Sequence, residues 1–346
     1  MVKRLIRLTA ICISIIFLFL FVKLYSFCNT YPAEEESHKI INISEGTGLR
    51  KAANILFKEG LITDSDLFVL WGKIKGIERR LIPGEYDLHS RMLPTEILNM
   101  LNSGRVLQYK VTIPEGVTAK WIGKRLEEKG LADHKRFLRL IYDREFIKTL
   151  KVDADSLEGY LFPDTYFFSR NTKEEEVIKR MVAQFREIYT KRYREREREL
   201  NMTQNDIVTL ASIIQKEMGT DKEAALISAV FHNRLKKKMA LQSDPTVIYA
   251  LPEFNGNLRR VDLKINSPYN TYRKKGLPPG AISNPGKKAI HAALYPADVN
   301  YLYFVSKNNG THKFSRTISE HNIAVWKYQK VYYRSARRRI KDIQQH

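Results

Sequence analysis

Apolar positions are unevenly patterned along the chain. Leu8 to Val22 carries no charge, Lys23 interrupts it, and Leu24 to Phe27 extends it. Counted from Leu8 to Phe27, the run reaches the ~20 residues a spanning helix needs, with Lys23 able to snorkel to the interface. Lys3, Arg4 and Arg7 precede it, which predicts an inside N-terminus; Glu34-Glu35-Glu36 then lies outside. A cleaved signal peptide is the alternative, but no A-x-A-like site follows, and Tyr25-Ser26-Phe27 is a poor lead into Cys28 for lipidation. Either way the body is exported.

Beyond the anchor the pattern becomes helical and repeats. ISEGTGLRKAANILFKEGLI from Ile43 aligns without a gap, at an offset of 70, with IPEGVTAKWIGKRLEEKGLA from Ile113. Each copy predicts a β segment (Ile40 to Ile43; Tyr109 to Ile113), a Glu-Gly turn, and a helix with Ala52, Ile55, Leu56 or Trp121, Ile122, Leu126 on one face. Gly60 and Gly130 stop those helices, and second short helices begin at Asp64 and Asp133. Between the copies, Leu81 to Tyr86 reads as a turn into a strand and Pro94 to Leu101 as a short helix.

Past residue 150 the texture changes. Leu157 to Tyr166 mixes aromatics with Gly, Pro and Asp, which forbids a regular helix. Glu174 to Leu200 predicts one long helix with Val177, Met181, Phe185 and Ile188 as its apolar stripe. Thr203 to Asp206 has capping-box spacing ahead of Ile207, Leu210, Ile213 and Ile214. Glu217 follows Leu210 by seven positions, so at about 100° per residue it lies within roughly 20° of it, on the apolar stripe. A carboxyl so placed holds its proton near neutrality and is a candidate general acid. Periodicity alone favours the plainer reading, in which it snorkels out or pairs with Arg234.

A second helix is predicted from Thr220, with Glu223 at capping-box spacing; His232 in it has no paired nucleophile or metal-ligand set in the sequence and reads as structural. Leu241 to Thr246 and Ser267 to Tyr272 are polar loops suited to sugar hydroxyls. Gly276 to Gly286 is a rigid Gly/Pro loop, Tyr301 to Val305 a buried strand, Gly310 to Phe314 a turn into the next, and Ile318 to Gln329 a final helix.

Composition narrows the function classes. Lys and Arg number 59 against 38 acids, a formal +21, which calls for an anionic partner. Export argues against nucleic acid. Cys12 and Cys28 both lie in the apolar N-terminal region, so the body has neither a disulfide framework nor a cysteine zinc site.

Six motifs occur in a defined order: Glu158 to Tyr166 (EGYLFPDTY), Leu210 to Glu217 (LASIIQKE), Phe231 to Leu235 (FHNRL), Gln242 to Thr246 (QSDPT), Ser267 to Tyr272 (SPYNTY), and Gly276 to Gly280 with Asn284 to Gly286. With them the chain resembles the MltG (YceG-like) family of endolytic murein transglycosylases, from the anchor to the last helix. The resemblance implies an α+β fold: a single N-terminal transmembrane helix, LysM-like α/β subdomains and a mixed α+β YceG-like catalytic domain. The expected divisions are 1–7 cytoplasmic, 8–28 anchor, 29–38 linker, 39–150 duplicated LysM-like region, 151–335 catalytic domain and 336–346 basic tail.

It also implies Glu217 as catalytic acid. Gln242, Ser243, Asp244, Asn270, Tyr272, Asn284 and Glu158 are expected to bind or position glycan. No metal or organic cofactor is expected. The expected partners are peptidoglycan glycan strands, the cytoplasmic (inner) membrane through the N-terminal helix, and peptidoglycan synthases, with no nucleic acid. The expected site is the periplasmic face of that membrane. The competing reading is a non-catalytic, membrane-anchored glycan-binding scaffold.

Overall fold

The computed structural model describes residues 2–78 and 81–331. The expected basic tail at 336–346 lies outside them. The chain divides into two compact units: one holds the residues up to Lys110 together with Phe167–Thr172, the other Val111–Tyr166 and everything from Lys173 on.

The first unit begins with α1 (Val2–Cys28), whose Lys3–Cys28 stretch is long and apolar enough to cross a membrane. Then come β1 (His38–Ile43), α2 (Leu49–Lys58), α3 (Ser65–Ile74), β2 (Gly84–His89) and α4 (Pro94–Ser103). β1 and β2 pair antiparallel, Ile41 opposite Tyr86 and Ile43 opposite Gly84. Alternation puts Ile41, Ile43, Tyr86 and Leu88 inward, where they meet Leu56, Leu61, Phe68 and Ile97. α3 is capped by the Asp64 carboxylate, which accepts from the Asp66 and Leu67 amides.

The second copy of the repeat forms β3 (Tyr109–Thr112), α5 (Ala119–Glu128) and α6 (His134–Ile141), followed by α7 (Arg144–Thr149) and β4 (Thr165–Phe168), which pairs with β3. The two copies match in detail. Gly46 and Gly116 both turn the chain at left-handed φ, +80° and +76°, which a side chain would resist. Ile43 and Ile113, Leu56 and Leu126, and Leu61 and Leu131 are equivalently buried. Asp133 caps α6 as Asp64 caps α3.

The expected boundary at 150, with both copies in one region, is not where the chain divides. The second copy is bonded into the rest of the second unit: Gly116 N–H donates to the Asn284 carbonyl at 2.8 Å, Leu157 N–H to the Ile141 carbonyl at 3.0 Å, and α6 packs on α8 (Glu174–Ile188).

The long helix expected over 174–200 is two. α8 ends at Ile188 and α9 (Lys191–Glu199) restarts after Tyr189 leaves the helical region and Thr190 becomes extended. The break lets Tyr189 bury its ring against Phe185 (5.4 Å between centroids) and Tyr193 (5.7 Å), while its hydroxyl donates to Glu197.

The heart of this unit is α10 (Gln204–Glu217). Its capping box forms, Thr203 with Asp206. All eight residues from Ile207 to Ile214 are buried, not a stripe alone, because α9, α11 (Ala224–Lys236), α12 (Asp244–Ala250) and α13 (Lys287–Leu294) pack around it. Its buried Ser212 hydroxyl accepts from the Ile282 amide and donates to the Thr209 carbonyl.

The expected Thr220 cap of the next helix does not form. Residues 221–223 make a 3-10 turn, and Glu223 instead accepts from the His312 amide at 2.9 Å. β5 (Tyr303–Ser306) and β6 (His312–Ser315) form the closing hairpin, and α14 (Ile318–Val325) runs on into a π-helical turn through Val331.

Candidate active site

Burial of α10 carries its last residue, Glu217, to the edge of a cavity of about 360 Å³. That cavity is lined by Glu217, Arg234, Gln242, Asp244 and Tyr272 from the helical side and by Phe304, His312, His321 and Gln329 from the closing hairpin and helix. Its size falls within the usual range for small-ligand sites.

Glu217 is neither solvent-bathed nor sealed: its side chain is partly exposed at the cavity wall. Loss of water around it pushes its pKa from 4.5 up to about 7; the nearby Asp244 charge pushes the same way, while the Ser243 hydroxyl and the Arg234 cation oppose. The negative end of α10 also disfavours an anion there.

Ser243 Oγ donates to Glu217 Oε1 at 2.6 Å. Ser243 is itself buried and fixed, its amide donating to Thr271 Oγ1 at 3.0 Å and its carbonyl accepting from Thr246 Oγ1 at 2.6 Å. Its neighbour Gln242 holds a left-handed φ of +52°, a strained conformation for a non-glycine. That turn leaves Gln242 exposed on the cavity wall while Ser243 points inward.

Asp244, expected in a loop, is the first residue of α12. It accepts from the Tyr272 hydroxyl at 2.5 Å, and burial together with that carboxylate raises the tyrosine pKa.

Arg234 is the cation of the site. Its Nε donates to the Leu302 carbonyl at 2.7 Å and its Nη1 to the Leu241 carbonyl at 2.6 Å, with Tyr303 stacked 5.3 Å away. These bonds hold the 241–244 segment and the closing strand around one guanidinium.

His232, on the same helix, gives its ring to the Ala293 carbonyl at 2.8 Å and does not line the cavity. It is a structural histidine, as its sequence context suggests.

The remaining expected site residues are elsewhere. Asn270 is fully buried: its amide nitrogen donates to the Leu263 and Ile265 carbonyls and its oxygen accepts from the Tyr272 amide. Asn284 is fully buried as well, its oxygen accepting from Gly159 and Leu161 amides and its nitrogen donating to Val117 and Glu158.

Glu158 accepts from Asn284 and from the Ala119 amide at the start of α5; burial pushes its pKa up to about 8 against those donors. All three were expected to meet glycan. Their polar atoms bond backbone groups and neighbouring side chains, and none of the three lines the cavity. Asn270 orients Tyr272; Asn284 and Glu158 join α5 to the EGYLFPDTY segment. Gly159 completes that junction, for a Cβ there would lie 2.5 Å from Ala281 Cβ.

Of the seven expected glycan residues, the structure therefore brings Gln242, Ser243, Asp244 and Tyr272 together with Glu217. His312, His321 and Gln329 went unseen in the sequence. His312 is locked by Glu223, Nδ1 to Oε2 at 2.8 Å, and His321 stacks on Tyr303 at 5.2 Å. Nothing local marks either, because each lies about 100 positions from Glu217 and only the hairpin returns them. Among the described residues no group of three or more His, Cys, Asp and Glu is placed to hold a metal ion.

The model of the YceG-like family matches residues 41–327. The chain belongs to the YceG-like family. Its relatives include the endolytic murein transglycosylase of Bacillus subtilis, 35% identical over 86% of this chain and 87% of that one. The enzyme of that name from Streptococcus pneumoniae D39 is 28% identical over 84% of this chain, which spans only 59% of its length. A crystal structure of a YceG-like protein from Listeria monocytogenes aligns with a TM-score of 0.57 at 33% identity, covering 82% of this chain and 98% of that one. The mixed α+β architecture is thus that of the YceG-like fold, and α10 with Glu217 lies within the matched region.

Proposed function

We propose that this protein is an endolytic peptidoglycan lytic transglycosylase that cuts the MurNAc-GlcNAc bond within glycan strands and leaves 1,6-anhydro-MurNAc ends. The observation that carries this reading is Glu217, a carboxyl whose pKa burial raises to about 7 at the wall of a polar cavity, in a family whose members bear that name.

One carboxyl suffices for such a reaction. Glu217 gives its proton to the glycosidic oxygen as the C1–O bond breaks. The carboxylate left behind takes the proton of the C6 hydroxyl as that oxygen bonds to C1. The internal nucleophile replaces the second carboxylate of ordinary glycosidases.

Ser243 and Arg234 stabilise the carboxylate between the two transfers. Gln242, Asp244 and Tyr272 supply donors and acceptors for sugar hydroxyls and N-acetyl groups. The product terminates a growing strand.

α1 anchors the chain in the cytoplasmic membrane with its N-terminus inside and the catalytic unit outside, where peptidoglycan synthases are natural partners. The strand–helix–helix–strand order of β1, α2, α3 and β2 supports a LysM-like module in front.

The test is digestion of purified peptidoglycan by the wild type and by Glu217→Gln, with products read by mass spectrometry. Anhydro-ended fragments from the wild type alone are expected. Their absence from the wild type, under conditions where glycan is bound, overturns the reading in favour of a scaffold.

A further inference from the structure

We infer that the first unit is seated in the outer leaflet of the membrane, with the exposed apolar side of α3 and an adjoining notch taking phospholipid acyl chain. This rests on the reading of α1 as an anchor.

The length of the span carries the inference. Leu8 to Val22 is fifteen residues, about 22 Å of helix at 1.5 Å per residue, against a hydrocarbon core of about 30 Å. Residues 23–27 extend that run to the ~20 residues a spanning helix needs. Those residues are the ones that the first unit packs against. Leu24, Phe27 and Cys28 join its core, and α1 touches α3 and α4. Lys23 lies 3.6 Å from Asp64, the cap of α3. The half-exposed Lys23 charge thereby has a protein partner at the outer end of the span.

If residues 23–27 lie at the outer boundary of the bilayer, α3 lies there too, and its exposed side combines an apolar patch with the charges of Asp66 and Lys73, which suits the headgroup level. Leu70 and Ile74 are 41% and 60% exposed, an apolar pair one turn apart. Between α3 and α1 is a notch of about 310 Å³ lined by Phe21, Leu24, Tyr25, Cys28, Trp71 and Thr95, with Asn29 at its edge. Tyr25 and Tyr31 are exposed at the same end of α1, and Lys75 sits 4.7 Å over the Trp71 ring. Tyr and Trp flanking an apolar face, with a lysine above them, make an interfacial belt. The aqueous alternative leaves Leu70, Ile74 and the notch wetted beside a membrane-spanning helix.

The experiment uses the full chain in phospholipid vesicles. Trp121 and Trp326 are exposed, so Trp121→Phe and Trp326→Phe leave Trp71 as the reporter without touching the core. Lipids brominated high or low along their acyl chains are compared with unbrominated lipid.

Flotation with the vesicles in the presence of carbonate reports the anchor separately; a chain that fails to float overturns the anchor and this inference with it. In a chain that floats, loss of Trp71 emission is expected, greatest for bromines near the headgroup. Leu70→Asp with Ile74→Asp should abolish most of that loss while flotation persists. A floating chain whose Trp71 emission is the same in brominated and plain lipid refutes lipid contact and leaves the anchor standing.

Discussion

Replacing Glu217 by glutamine changes the pH dependence of stability in a direction fixed by the site. In the folded protein the carboxyl titrates at about 7, against 4.5 when unfolded. Between those values the folded chain binds a proton that the unfolded chain has lost, so stability falls as pH rises. The contribution is whole below 4.5 and gone above about 7. At 1.36 kcal/mol per pH unit the full difference is about 3 kcal/mol. The carboxyl is partly open to the cavity, and solvent screening there reduces this to about 1–3 kcal/mol.

Glutamine keeps the shape and can accept from Ser243 but does not titrate. Wild type minus variant therefore isolates this group, because Glu158, whose pKa is also raised, is present in both. Thermal unfolding of the full chain in detergent, at constant ionic strength from pH 4 to 8, gives the difference. The variant should gain on the wild type by roughly 2–12 °C across the range, at about 2–4 °C per kcal/mol for a unit of this size. A difference that does not change with pH means that Glu217 ionises like a free carboxylate, and the acid role built on it collapses.

The same proton sets activity. Anhydro-product formation should fall above about pH 7 as Glu217 ionises, and Glu217→Gln should lower the rate by about 10²–10⁴-fold, the usual worth of a positioned general acid. Asp244→Asn removes a like charge and should move that pH limb downward in rate assays. Ser243→Ala removes a hydrogen bond worth about 1.5–3 kcal/mol to the ionised form and should move the limb upward by about 1–2 pH units. Asn284→Ala strands two buried amides and a carbonyl, and should cost about 3 kcal/mol or more in denaturant unfolding. If it weakens glycan binding with unchanged stability, Asn284 belongs to the substrate site after all.

Much of this molecule is written in local pattern. The uncharged run after Arg7, the repeat at an offset of 70, the Thr203–Asp206 cap and the apolar face leading to Glu217 are all periodicities or short spacings, and each recurs in the fold. Six motifs in order point to the family because their residue identities are constrained independently of one another.

Local pattern does not report which side of a loop a polar group faces. Ser243, Asn270 and Asn284 read alike in sequence, as amides and hydroxyls in polar turns. Only packing decides that Ser243 meets the carboxylate of Glu217 while Asn270 and Asn284 bind backbone inside the protein. Likewise Glu223 has the spacing of a cap, yet His312 takes it, because a hairpin nearly ninety positions later closes over it at 2.8 Å. Period and spacing are set by the backbone geometry of a few neighbouring residues. The partner of a buried polar group, and therefore the pKa of Glu217, depends on chain segments that only the tertiary fold brings together.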